Sequence, residues 1–392
     1  MTDPGIEQIR YFRLHNHHLD TWYSKAETET VAGACGMQNS PPGAWETALH
    51  NRVPGYSLKE MDALLSREKT LIQAWSLRGA PLVFPASESD VFLSALRADG
   101  QEPWIYTRGI TLALDFLQMS FEELFEMLLQ VISGLDETVI LSKTSLDQTV
   151  ADWMLPLLPA AKQDLWNHPS MYGSPDKQTV GGAVVSFLLR PASFCGLVVF
   201  GERNGSSPTF TSYKNWTGHA LPAKEGASEK LVKKYLHCYG PSTVDHFSSW
   251  LGCSSQQARR LWNLVSEETE PVIAGGKKAF LLSEDKDLFL SPSPLKRELL
   301  LLGAHDPFLD QRDRIFLQPD QTLHKQIWKT VSNPGVIVYR GEAVGVWSVR
   351  TKSKGLEIQA SLWKTPPKKQ AVLALFEEYA AFREQKIVQV CF

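Results

Sequence analysis

Residues Ala227 to Glu284 constrain this chain more than any other stretch. SEKLVKKYLHCYG places Leu231, Val232, Tyr235 and Leu236 at helical spacing and closes on Gly240. PSTVDHFSSWLG follows, with Ser242 and Thr243 as capping hydroxyls, Asp245 in an acidic first turn and Gly252 as its stop. SSQQARRLWNLVSEE supplies a third helix with Leu261, Trp262 and Val265 on one side. TEPVIAGGKKAFLLSE then reads as two β-rich runs turning at Gly275-Gly276. Three short helices and a two-stranded wing make the winged form of the helix-turn-helix, whose third helix lies in the major groove of DNA. Arg259 and Arg260 fall on that helix and Lys277 and Lys278 on the wing, as candidate DNA contacts. The competing reading is a winged helix used as a protein–protein scaffold, with these residues merely solvated.

The same grammar recurs upstream. Ile6 to Leu19, Trp45 to Val53 and Ser57 to Glu68 read as helices, and LIQAWSLRGAPLVFP as a hairpin turning at Arg78-Gly79. A second cycle has helices near Ser120–Ser133, Ser145–Leu155 and Ala160–Trp166, then a long hairpin from Ala183 to Phe200 that returns through TFTSYKNW after Asn204-Gly205. Pro222 to Gly226 is the natural linker. The last hundred residues carry short β-type runs with Gly turns, an amphipathic helix from Pro367 to Glu384 and a final strand KIVQVCF. The expected architecture is α+β: winged-helix modules at 1–100, 101–222 and 223–286, and a small β-rich domain capped by a helix at 287–392.

The net charge of −3 hides an asymmetry: 16 Lys+Arg against 24 Asp+Glu up to Pro222, and 24 against 19 beyond it. A basic half suits a protein with one face toward phosphate. No stretch approaches the roughly 18 apolar residues of a membrane span, and the polar N-terminus lacks a signal-peptide core, so a cytoplasmic location is expected. Cys35, Cys195, Cys238, Cys253 and Cys391 form no C-x-x-C pair and are read as buried reduced thiols, with no metal site. His15, His17 and His18 cluster, but no Cys or acid stands near them at ligand spacing. A phosphate-binding G-x-x-x-x-G-K-[ST] loop, a G-x-G-x-x-G turn and a G-x-S-x-G elbow are all missing, so no nucleotide cofactor is expected.

HNHHLD, ACGMQNSPPGAWETAL, LIQAWSLRGAPLVFPASE, YLHCYGPSTVDHFSSWLG, LLLLGAHDPFLDQRDR and NPGVIVYRGEAVGVW occur in that order. In order and spacing the chain resembles, nearly end to end, the AlkZ-like winged-helix DNA glycosylases. The resemblance implies three tandem winged-helix modules and a C-terminal β-barrel. It also implies a catalytic Gln-x-Gln, or Gln-x-Asp, in the first module. The matching positions here are Gln38, Asn39 and Ser40: the first glutamine is kept and the second is a serine. Asp306, Arg312 and Arg314 match the family's D-P-[FY]-L…R segment, where an Asp–Arg pair could brace the barrel or reach phosphate. Arg78 matches the R-G-T hairpin, although Ala80 replaces its threonine.

The chemistry behind two amides is simple. A purine alkylated at N7 or N3 is cationic and leaves the sugar without a general acid, so the enzyme need only hold a water under C1′ and ease the oxocarbenium ion. A neutral base would demand a carboxylate. Ser40 can still bond a water, but its hydroxyl lies about two bonds closer to the backbone than a Gln amide. The expectation is therefore a monofunctional, metal-free glycosylase acting as a monomer on double-stranded DNA, with Gln38 positioning water and Ser40 assisting. The alternative is a non-catalytic DNA-binding or regulatory protein that has lost the second amide.

Overall fold

The three helices and the wing at 227–282 form where their caps predict. In the computed structural model, which describes residues 5–173, 177–205, 207–364 and 367–392, the helices are Ala227–Tyr239, Val244–Leu251 and Ser255–Asn263. Thr243 and Ser254 each accept a backbone N–H through their side chains, and Gly252 stops the second helix at φ +78. The hairpin pairs Thr269–Ala274 with Lys277–Leu282. Its two-residue turn puts Gly275 at φ +56 and Gly276 at φ +74, the double left-handed turn that fits strand twist and favours glycine.

Upstream, the strands are β1 (Met37–Gln38), β2 (Leu71–Trp75) and β3 (Pro81–Pro85), in the order β1-β3-β2. The hairpin β2–β3 matches the sequence reading; β1 is too short to show a period. The helices Ala44–His50 and Leu58–Ser66 flank it, the second held by a Ser57/Glu60 capping box. The first helix, Ile6–Asn16, stops short of its expected end, because His17 caps it and His18 turns to φ +57. This helix packs away from β1–β3. Ile9 and Phe12 join Ala279, Leu281 and Phe289, while Leu14 and Leu19 join the C-terminal sheet.

The middle segment corrects the sequence reading. Helices Phe121–Val131, Lys143–Met154 and Ala160–Trp166 are present, but the expected long hairpin is not. Val180–Phe194 is a helix, capped by Thr179, and among the described residues of this segment the strands that pair are the short β4 (Val199–Phe200) and β5 (Phe210–Thr211). Twelve of its 15 residues are buried, so no polar face marks a helical period. Gly181 lies so close to the Trp166 ring that a Cβ there would sit 2.3 Å from it. Tertiary burial overrode the strand preference of the valines.

The C-terminal strands are β6 (Thr269–Ala274) and β7 (Lys277–Leu282) of the hairpin, then β8 (Leu299–Leu302), β9 (Gly335–Tyr339), β10 (Glu342–Lys352), β11 (Gly355–Leu362) and β12 (Ile387–Cys391). The last five form one sheet in the order β12-β11-β10-β9-β8. Among the described residues β8 and β12 do not pair, so this is an open sheet and not the barrel-like closure expected. Both faces are already covered: Leu301, Ile337 and Trp347 pack on the helix Lys369–Phe382, while Leu300, Leu302 and Val338 pack on Leu14, Leu19 and Phe308. With both faces buried, closure would gain little. No described helix is long and apolar enough to cross a membrane.

Candidate active site

β1 presents Gln38. Its neighbour Met37 points into the core at 1% exposure, so period-two alternation turns Gln38 the other way. Pairing with Leu82 of β3 fixes the strand, and Asn39 continues it by donating its N–H to the Pro81 carbonyl at 2.8 Å. The Asn39 side chain turns inward, donating to Gln73 at 2.9 Å and accepting from the Gly43 N–H at 2.7 Å. Gln38 Nε2 donates to the Ser40 carbonyl at 3.2 Å. That leaves Gln38 Oε1 with no bonded partner among the described residues.

Gln38 lines a cavity of about 390 Å³, within the usual range of small-molecule sites. Its walls come from the β2–β3 turn (Leu77, Arg78, Ala80), the helices bearing Tyr239 and Trp250, and the loops at 305–314 and 327–334. Arg78 sits at φ +55 in that turn, donates to the Trp250 carbonyl and pairs with Asp310 at 2.6 Å. The other oxygen of Asp310 takes Arg312 at 2.8 Å. Arg314 lies 4.6 Å over the Trp328 ring. Burial lowers the His305 imidazole below its usual range.

Asp306 also borders the cavity, but its partner is not Arg312 or Arg314. It is locked to Arg52, whose two nitrogens meet its two oxygens at 2.9 Å each, both residues being almost wholly buried. Arg52 further donates to the carbonyls of His17 and Ala48. This is a brace between segments 254 residues apart, and the sequence carried no signal for Arg52. Every carboxylate on the cavity wall is therefore matched by arginine, and Gln38 shares the space with the polar side chains of His305, Thr330 and Asn333. Ser40 is exposed and lies outside the residues lining the cavity.

The candidate DNA contacts divide. Arg78, Arg312 and Arg314 line the cavity; Arg259, Arg260, Lys277 and Lys278 do not. Arg259, Lys277 and Lys278 are exposed. Arg260 instead forms a two-pronged pair with the buried Glu102 at 2.8 Å and a bond to the Arg97 carbonyl, which hold its guanidinium against the protein. Arg259→Ala is expected to flatten the dependence of log K on log salt by about 0.9. Arg260→Ala should leave that slope unchanged and lower the urea midpoint. Equal slope changes in both variants would contradict this division. A second groove, of about 660 Å³, meets the first at Arg78 and is lined by Arg108, Ser254 and Ser255.

Sequence reasoning missed Asp310, His305 and Trp328, whose roles depend on loops folding back across the hairpin. It also paired the N-terminal histidines with nothing, whereas the fold brings Cys35 and Cys238 to His17.

The AlkZ-like DNA glycosylase family model matches residues 31–382. A curated relative, the interstrand DNA cross-link repair glycosylase of Streptomyces sahachiroi, is 24% identical over 358 residues, spanning 87% of each chain. The solved structure of the Streptomyces sahachiroi DNA glycosylase AlkZ superposes with a TM-score of 0.76 at 20% identity, covering 99% of both chains.

Proposed function

This chain belongs to the AlkZ-like DNA glycosylase family, and from that premise we propose that it hydrolyses the N-glycosidic bond of cationic, N7- or N3-alkylated purines in double-stranded DNA. The observation that carries the reading is Gln38. It faces a cavity in which both acids, Asp306 and Asp310, are already bound by arginines. A site without a free carboxylate is poorly equipped to activate water as a base, but it can hold one by hydrogen bonding. That suffices when the leaving group is already charged. Arg78, Arg312 and Arg314 lie along the same wall, where they meet the phosphates beside an extruded nucleotide. Extrusion is the general route by which such enzymes reach a base.

The wider binding surface is read as three winged-helix modules, at 1–100, 101–222 and 223–286, with the sheet domain at 287–392. The hairpins β2–β3 and β6–β7 support two of the wings, while β4–β5 leaves the middle one reduced. A cytoplasmic monomer without metal-dependent or nucleotide-dependent catalysis completes the proposal. Ser40 favours a second reading. Because it stands off the cavity, the second position of the family's pair contributes nothing there unless DNA moves it, as a non-catalytic DNA-binding protein would allow.

Chromatography of bases released from methylated duplex DNA by the purified chain distinguishes the two. Free alkylpurine with an abasic strand is the expected result; duplex retention without release would establish the non-catalytic reading. A parallel reaction on interstrand cross-linked duplex tests whether the substrate range extends to the lesion in the curated relative's name.

A further inference from the structure

His17, Cys35 and Cys238 are left unused by that chemistry. They come from the turn closing the helix Ile6–Asn16, the loop before β1, and the last turn of the helix Ala227–Tyr239. All three are buried, at 1%, 4% and 0% exposure. One ligand atom from each lies within 4.8 Å of the other two. His17 Nε2 is enclosed and finds no hydrogen-bond partner among the described residues. A buried polar atom without a partner calls for an explanation, and an unseen ion is one of the few available. The ring is held edge-on by Tyr239 at 4.8 Å and Phe308 at 5.5 Å.

We propose that these three side chains bind one zinc-class divalent cation, His17 supplying an imidazole nitrogen and the two cysteines supplying thiolates. Zinc–sulfur and zinc–nitrogen bonds of about 2.3 and 2.0 Å at tetrahedral angles set ligand atoms roughly 3.5–3.8 Å apart. A cluster already inside 4.8 Å therefore closes by about 1.3 Å at most. On binding, the two thiol protons pass to solvent and the two thiolates balance the ion's charge. Asp306 is committed to Arg52, so no carboxylate competes for the ion. Cys35 and Tyr239 also line the Gln38 cavity, which gives a solvent ligand a route to the fourth position. The ion would pin the loop three residues ahead of Gln38 to a helix more than 200 residues away.

Anaerobic titration of the reduced, metal-stripped chain with Co²⁺ reads the donor set directly. The expected result is one cobalt per chain, a thiolate-to-cobalt charge-transfer band, and displacement of both by Zn²⁺. Cys238→Ser and His17→Gln should each weaken cobalt binding by about 100-fold or more, since even outer-shell changes cost 10–100-fold. Cys391→Ser, at an exposed thiol, should leave it unchanged. Thermal melts followed by circular dichroism establish that each variant folds, and the wild-type titration stands whether or not they do. Absence of the band in the wild type overturns the proposal. So does a band that survives Cys238→Ser but is lost in Cys391→Ser. Loss of two hydrogens on mild oxidation, without cobalt binding, would assign Cys35 and Cys238 to a disulfide instead and equally end the metal reading. None of these readouts depends on glycosylase activity.

Discussion

Gln38→Ala should lower single-turnover base release by about 100- to 1,000-fold, the cost of losing one group that acts on the transition state, and leave duplex affinity within about twofold. The two numbers separate because of where the amide sits. Its nitrogen is tied to the Ser40 carbonyl, which fixes the side chain, and its oxygen has no bonded partner among the described residues of the cavity. A water held there matters when C1′ becomes electron-poor, not when DNA first docks. In the proposed reading docking draws instead on Arg78, Arg312 and Arg314, which line the cavity, and on the exposed Arg259, Lys277 and Lys278. Ser40→Gln tests the other half of the pair. A longer amide at the rim can reach toward the cavity that serine does not line, so release of cationic bases should rise. Unchanged release in Gln38→Ala would remove the mechanism. Unchanged release in Ser40→Gln would mean that the rim position stays remote even with DNA bound.

How much of this was legible beforehand depended on whether a residue's partners were local. The wing at Gly275-Gly276 was readable because a double-glycine turn fixes its own geometry and a β-rich run of six residues stands on each side of it. The helix Val180–Phe194 was misread because burial on nearly every side erases the amphipathic period and leaves only a run of valines, leucines and small residues. At the site, Gln38 was found through its family motif, and Arg78, Arg312 and Arg314 proved to share its cavity. Arg260 looked equivalent to Arg259 in sequence. Only the fold shows that Glu102, 158 positions away, has claimed it. The open sheet was likewise hidden, since strand periodicity reports which face is buried and not whether the edges meet.

Asp306→Ala should destabilise the fold by about 3–5 kcal/mol, the usual cost of stranding one partner of a buried ion pair, a large part of the roughly 5–15 kcal/mol that holds a typical domain. The pair is 2% and 0% exposed at its side chains, its two bonds run in parallel, and the Arg52 guanidinium has two further acceptors, the His17 and Ala48 carbonyls. Asp306 also accepts the Phe308 N–H at 3.0 Å, so the loop that carries Asp310 and Arg312 to the cavity is anchored by the same carboxylate. Removing it therefore lowers stability and loosens the cavity wall together. Urea unfolding gives the first effect. The second is read as a fall in base release at a temperature where the variant is still folded. The double replacement Arg52→Met with Asp306→Leu should recover most of the lost stability, because an apolar pair of similar volume leaves no charge buried. A loss below about 1 kcal/mol in Asp306→Ala, the range of exposed pairs, would mean that solvent reaches Arg52 and that the brace does not exist. Normal stability with a reduced salt slope would instead place Asp306 and its arginine at the phosphate backbone.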